Sequence, residues 1–405
     1  MKAKNIYLTT ISFLAIGFCN AQTLQEYLNI AKTNSSEIKE KTFEHNLYEE
    51  KVNEVGNLGN TNIGFGYFVS TPETRVGAQI ARLSAEQQLP WFGTLEAEKR
   101  VAQSMSKTKL FDIELAERDL LYKVKELYYQ LYEKHKITTI LKESKQILTT
   151  YENMALSALE NNKATMSDVL NIKVQKNELH SKIFKNLNEI DALSKNFNRL
   201  LQRDLNIQIE MPDSLSVLDI LIKEPTINEH PSLSKIDQQS NVYKAEDVLV
   251  NKDKLPKLAF GLDYILVEER QDLKLTDNGK DIVMPKIGLS IPLFTKKYDS
   301  KTQQIKIKQD VLASKKENTI KQLEMALEES ILQLDNAILN VVATQKNKTE
   351  TQLAINVDLK AYETGILNYD KILRLQLQKI KFQLMEVEAV KTAFVAKAKT
   401  EYLTE

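Results

Sequence analysis

Cysteine is almost missing from these 405 residues, with Cys19 the only one. It lies in an N-terminal stretch that reads as an export signal, so the mature chain keeps no disulfide framework, thiolate metal cluster or cysteine nucleophile. Glycine and proline are also scarce, at 11 and 8 residues, and they are unevenly spread. Neither occurs between Gly93 and Pro212, and after Pro292 only Gly365 interrupts. Stretches without either breaker read as long helices. No run beyond the leader approaches the roughly 20 apolar residues of a membrane-spanning helix, so any crossing of a bilayer falls to strands.

Charge of one sign is lacking too. Lys+Arg and Asp+Glu balance at 55 each, which gives no reason to expect nucleic acid or an anionic membrane surface as partner. The four histidines, His45, His135, His180 and His230, are scattered with no second ligand at helical spacing. There is no glycine-rich phosphate loop and no HExxH pattern, so the reading is a protein with no metal, no cofactor and no catalytic constellation. Mature-chain methionines such as Met154 and Met166 suit helix packing better than copper binding.

What is present begins with the leader. Lys2 and Lys4 precede an apolar run from Ile6 to Phe18, and Cys19 and Ala21 stand two apart before Gln22. Residues 1–21 are therefore expected to be a cleaved signal peptide. The competing reading, a lipoprotein acylated on Cys19, is disfavoured by the bulky Phe18 before it.

In the glycine-poor stretches apolar residues recur at alternating three and four. Leu120, Val124, Leu127 and Leu131 form one run, and Leu179, Ile183, Leu187 and Ile190 another. Leu327, Ile331, Leu334, Ile338 and Val341 form a third, and Leu373, Leu377, Ile380, Leu384 and Val387 a fourth. This is coiled-coil-like spacing. A helix over residues 94–160 would be roughly 100 Å long at about 1.5 Å per residue, longer than any globular core is thick.

Glycine and proline gather instead around segments of two-residue alternation. Ile63, Phe65, Tyr67 and Val69 alternate with Gly64 and Gly66, and a second strand is expected over residues 79–89. Later, Leu258, Phe260, Leu262, Tyr264 and Leu266 alternate, followed after a polar stretch by Ile287, Leu289, Ile291 and Leu293. Strands of about ten residues with one apolar face fit a tilted membrane-barrel strand. They fit a half-buried strand of a soluble sheet equally well, so context must decide.

The context is a duplication. Leu89-Pro90-Trp91-Phe92 and Ile291-Pro292-Leu293-Phe294 both close a strand pair and open a long helix, at an offset of 202 (291 minus 89). Ala158-Leu159-Glu160 with Asp168-Val169-Leu170 answers to Ala361-Tyr362-Glu363 with Lys371-Ile372-Leu373, at an offset of 203 (361 minus 158). The expected organisation is a first repeat over residues 22–203, a joining segment over 204–231 containing Pro212, Pro225 and Pro231, and a second repeat over 232–405.

At these residues the chain resembles the TolC-like outer-membrane efflux proteins. The resemblance rests on the corners Gln88-Leu89-Pro90-Trp91-Phe92-Gly93 and Ser290-Ile291-Pro292-Leu293-Phe294. It rests also on the tip Tyr362-Glu363-Thr364-Gly365 followed by Tyr369-Asp370-Lys371-Ile372-Leu373, and on His230-Pro231, which resembles an Asn-Pro helix opening. The implied fold class is mainly α with membrane β: long coiled-coil hairpins plus four strands per chain. In a homotrimer these would form a twelve-stranded barrel set in outer-membrane lipid above a periplasmic α-helical tunnel. Physical reasoning agrees, because four strands cannot close a barrel and an open edge in lipid leaves backbone groups unsatisfied. The implied function is a passive exit duct, with no nucleic acid among its partners. It would work with a periplasmic adaptor of the membrane-fusion type and an inner-membrane pump, the RND type among those the resemblance admits. A periplasmic coiled-coil scaffold or adaptor without a barrel is the rival reading.

The resemblance also selects site residues. Ile63, Phe65, Tyr67, Leu258, Phe260 and Leu262 would face lipid, and Trp91 would sit at the membrane–water boundary or else in a core. The tips would receive the adaptor at Asn161, Asn162, Gly365 and Asn368. Acidic side chains just after the tips would narrow the entrance, which selects Asp168, and in the second repeat Lys371 with Asp370 beside it. Three converging carboxylates about 6 Å apart would repel by roughly 3 kcal/mol per pair at an effective dielectric near 20, a strain Lys371 would relieve by pairing with Asp168. Asp168 fits a helix cap equally. The Leu-Pro-Trp-Phe-Gly corner leans toward the heavy-metal branch of the family, and so toward cations, by analogy alone.

Overall fold

The computed structural model describes residues 24–217, 220, 225–272, 274–363 and 369–404. The expected leader, residues 1–21 with Cys19, lies outside them, as do Gly365 and Asn368. Each half of the chain runs through helix, strands, long helix and returning helix. The first half holds α1 (Leu24–Asn34), α2 (Ser36–Glu54), β1 (Asn62–Tyr67), β2 (Glu73–Thr74), β3 (Gly77–Leu89), α3 (Thr94–Glu160) and α4 (Met166–Leu200). The second holds α5 (Pro231–Asp253), β4 (Lys257–Glu268), β5 (Ile282–Ser290), α6 (Lys296–Glu363) and α7 (Tyr369–Thr404).

The glycine-poor stretches are helical as expected, with α3 67 and α6 68 residues long. The opening helix is split, because the Ser35 hydroxyl accepts a hydrogen bond from Ile38 N and starts α2 afresh after Asn34. His230 opens α5 in the same manner: its Nδ1 accepts from Ser232 N at 3.2 Å, with Pro231 in the first turn where no N–H is needed.

Compact packing does not follow chain order. One unit takes α1, residues 124–218 and residues 338–391; the other takes residues 35–123, 219–337 and 392–405. In the first unit Leu148, Tyr151 and Ala155 of α3 pack with Val169, Ile172 and Leu179 of α4 and with Ile372 and Leu373 of α7. Leu179 and Leu373 belong to the periodic runs read from the sequence, and the burial of this cluster supplies the stability that propensity alone does not give long helices. The same unit buries an aromatic cluster: Tyr27 meets Phe197 edge-on at 5.2 Å, and burial pushes the Tyr128 phenol up to about 12. The joining segment is tied there as Glu210 N donates to the Tyr27 hydroxyl.

The second unit carries the sheet. Its strands are antiparallel in the order β1-β3-β4-β5, with the short β2 beside β3. Two expectations are corrected. Val69 lies beyond β1, since pairing ends with Phe68 N donating to Ile80 O. The last strand covers 282–290 rather than the Ile287-to-Leu293 alternation, leaving Ile291 and Leu293 past its end. Pro285 hides the start of that strand in the sequence; having no N–H, it is tolerated within one chain because β5 is the edge of its sheet.

Candidate functional site: the two-faced sheet and the helical tips

Register sorts the strand residues onto two faces. Ile63, Phe65 and Tyr67 of β1 stand opposite Ala85, Leu83 and Ala81 of β3. Those residues pair in turn with Leu262, Tyr264 and Leu266 of β4, and β5 adds Val283, Pro285, Ile287 and Leu289 to the same face. Side chains on this face are exposed: Ile63 at 75%, Phe65 at 74% and Ile287 at 76%. Tyr67, Phe260 and Leu262 are exposed as well, and Leu258 is half-buried. The six residues selected from the sequence thus share one face.

The other face is polar. It carries Asn62, Arg82, Ser84, Glu86, Gln88, Lys257, Asp263 and Lys286 over most of its length, with Ile265, Val267, Ile282 and Met284 gathered toward the end at the strand connections. Asp263 is fully buried, paired with Arg82 on one side and with Lys286 at 2.8 Å on the other. Gly261 makes this possible, because a Cβ there would come within 3.2 Å of the Lys286 stem that crosses it. The alternating burial along β4, with Asp263, Ile265 and Val267 buried and their neighbours exposed, fits a sheet curled toward its polar face. Sequence reading missed this brace because it followed only the apolar half of each alternation.

At one end of the sheet the strand connections are joined. Arg75 pairs with Asp277, Gly279 N donates to Val76 O at 2.7 Å, and Arg270 reaches Thr74 O at 3.3 Å. Gly77, at φ 139°, faces Glu268 O so closely that a Cβ would sit 1.7 Å from it. At the opposite corner Trp91 is half-buried and Phe92, its edge-on neighbour at 5.9 Å, is exposed.

In the first unit, helix α3 stops in a Schellman turn. Lys163 N donates to Ala158 O and Asn162 N to Leu159 O, with Asn162 in the left-handed region at φ 58°. Asn161 and Asn162 are both exposed. Asp168 closes a capping box on α4: its carboxylate accepts from Thr165 N at 2.8 Å while Thr165 Oγ1 accepts from Asp168 N. Lys371 pairs at 3.2 Å with Asp358, whose side chain is 10% exposed, and Asp370 pairs with Arg374. The expected Asp168–Lys371 pair is therefore not formed within one chain, since both groups are engaged locally.

A groove of about 490 Å³ in this unit, walled by Tyr132, Ser214, Val341 and Val387, holds Lys348 already paired to Glu386 at 2.6 Å. Among the described residues there is no cluster of three or more His, Cys, Asp or Glu able to hold a metal ion. No helix among them is long and apolar enough to cross a membrane.

Comparison with solved structures gives the fold a name. The outer membrane protein VceC from Vibrio cholerae superposes with a TM-score of 0.72 over 94% of this chain and 95% of that one, at 12% identity. The CusC structures, described for conformational changes on folding and transmembrane channel formation, give 0.76 over 94% and 92%, also at 12% identity. The CmeC outer membrane channel of Campylobacter jejuni gives 0.73 over 94% and 85%, at 10% identity. No family model and no curated protein sequence matches the chain. The chain has the fold of the TolC-like outer-membrane channels.

Proposed function

We propose, from this TolC-like fold, that the chain is one protomer of a trimeric outer-membrane exit duct that passively conducts solutes expelled by an inner-membrane transporter. One observation carries the reading. A sheet of four main strands, with the short β2 beside β3, that has an exposed apolar face, a curled polar face and two unpaired edges, β1 and β5, is a third of a barrel wall. Left as a single chain in lipid, it would leave the N–H and C=O groups of both edges unsatisfied at several kcal/mol each. Three copies joined β1 to β5 leave no edge and give twelve strands, with the apolar face toward lipid and the polar face toward water.

On this reading residues 22–203 and 232–405 are the duplicated units and 204–231 joins them. The helices beyond the sheet form the periplasmic tunnel, and the protein does no catalysis. A periplasmic adaptor docks at the tips, with Asn161 and Asn162 in the first and Gly365 and Asn368 in the second, and links the duct to the pump, for which an RND-type transporter is one fit. Asp168, with Asp370 and Lys371, lies where the entrance would narrow.

Membrane fractionation followed by planar-bilayer recording tests the proposal. A detergent-requiring trimer that conducts ions is the expected result. A protein that stays soluble without detergent and conducts nothing would instead be the periplasmic scaffold.

A further inference from the structure

We infer that the barrel bore carries a net positive field set by Arg82 and Lys286, and that the duct favours anionic solutes. The inference rests on the exit-duct reading above, which makes the polar face the bore. Five charged side chains occupy that face: Arg82, Lys257 and Lys286 against Glu86 and Asp263, an excess of one positive charge per chain. Lys257 and Glu86 are both exposed and offset each other, so the imbalance rests on the Arg82–Asp263–Lys286 group. The Asp263 carboxylate has no accessible surface, whereas the side chains of Arg82 and Lys286 keep 40% and 32% of theirs. The bore therefore meets the outer sides of two cations whose shared anion is hidden beneath them.

The arrangement is built rather than incidental. Lys286 reaches Asp263 by lying across Gly261, the one position in its row without a side chain, and Arg82 approaches the same carboxylate from β3. One anion thus fixes two cations on a rigid wall, where neither can fold away from the lumen. Charges fixed on a low-dielectric wall act across a Debye length, about 10 Å at 0.1 M salt, and charged clefts raise the local concentration of the opposite ion. The class of solute indicated is small organic or inorganic anions. This runs opposite to the cation leaning suggested by the corner motif.

A thiol-reactivity assay isolates the bore from the helical tips. Cys19 is the only native cysteine, so Gln88→Cys places one new thiol on the polar face, opposite Ala259. Intact cells carrying it are treated from outside with anionic and cationic methanethiosulfonates, and the chain without the new thiol serves as background. The anionic reagent should react at least about threefold faster at low ionic strength, with the ratio falling toward one in high salt. Lys286→Gln in that background should lower the ratio while leaving Asp263 paired with Arg82, and Lys286→Arg should restore it. A ratio of one or below in the parent, or a ratio unmoved by Lys286→Gln, overturns the anion inference while the duct stands. A thiol that neither reagent reaches, in a protein that also carries no current in bilayers, overturns the duct reading and this inference with it.

Discussion

Helices α2 and α5 hold the same place in the two halves, each leading into a strand pair, yet they are opened differently. Ser35 caps the first with a hydroxyl that does not titrate, and His230 caps the second with an imidazole ring. The hairpin tips differ too. At the offset of 203, Ala155 and Asp168 of the first half answer to Asp358 and Lys371 of the second (358 minus 155; 371 minus 168). A buried methyl and a capping box stand where the other half has an ion pair. The strands differ in length, β1 having 6 residues and β4 12, yet both halves supply the same apolar face. The two halves thus share an apolar strand face and differ at their helix junctions.

The strongest test of equivalence is therefore in the sheet. Phe65→Arg and Phe260→Arg put a cation on the apolar face from either half, at about 2–4 kcal/mol each near a bilayer midplane. If the chain is the trimeric duct proposed above, both variants should lose membrane-integrated trimer to a similar extent, whereas Ser84→Arg on the polar face should be retained. Quantitative fractionation reads all three, and a large gap between the two Phe variants would break the equivalence.

Acid should separate the halves. His230 is buried, and burial, followed by the nearby charges of Arg118 and Lys399, lowers its pKa from 6.5 to about 4. The neutral ring is the form that accepts the Ser232 N–H. An unfolded chain takes up the proton more readily, so this contribution to stability is complete above pH 6.5 and is lost as pH falls toward 4. The loss by pH 5 is about 2 kcal/mol. Melting of the purified protein between pH 7.5 and 5 should show that loss in the parent and a flatter profile in His230→Asn, because Asn can cap without titrating.

The ion pair in the second tip comes next in size. Lys371→Ala leaves the carboxylate of Asp358, one-tenth exposed, without its cation and should cost about 1–2 kcal/mol, less than a fully buried pair because Lys371 itself is well exposed. Asp358→Ala recreates the first-half arrangement around Ala155 and should be close to neutral. Denaturant titration distinguishes them: equal losses would show that the pair itself is stabilising rather than that the stranded carboxylate is costly, and no loss in either would mean that the pair contributes little.

How much of this was legible follows from what each signal encodes. The bounds 94–160 of the long helix and the end of the strand expected over 79–89, which begins at Gly77, were readable because breakers and periodicity coincide there. The β5 register was not, since Pro285 removes a strand signal that an edge position tolerates, and the alternation through Leu293 outruns its pairing partner, which starts at Lys257. The six apolar-face residues were readable as a set. The Arg82–Asp263–Lys286 brace was not, because it joins three strands through a register that only pairing defines. Asp168 and Lys371 were found by their offset, but each one's partner lies on a turn or a facing helix that no spacing specifies.

The smallest expected effect bears on the gate. Asp168 uses its carboxylate to accept the Thr165 N–H, so a cap and a constricting charge would rest on the same oxygens. Asp168→Ala removes both and confounds them, at about 1 kcal/mol for the lost capping box. Asp168→Asn keeps an acceptor oxygen and a similar shape while removing the charge, so melting should barely move. If three Asp168 carboxylates sit close in the closed entrance, the neutral variant relieves their repulsion and should be the more tightly closed, with lower single-channel conductance than the parent. Lys371→Ala, which leaves Asp168 untouched, should shift conductance less. Unchanged closure in Asp168→Asn and Lys371→Ala alike would leave Asp168 as a helix cap alone, and the two tips would then differ in architecture without differing in function.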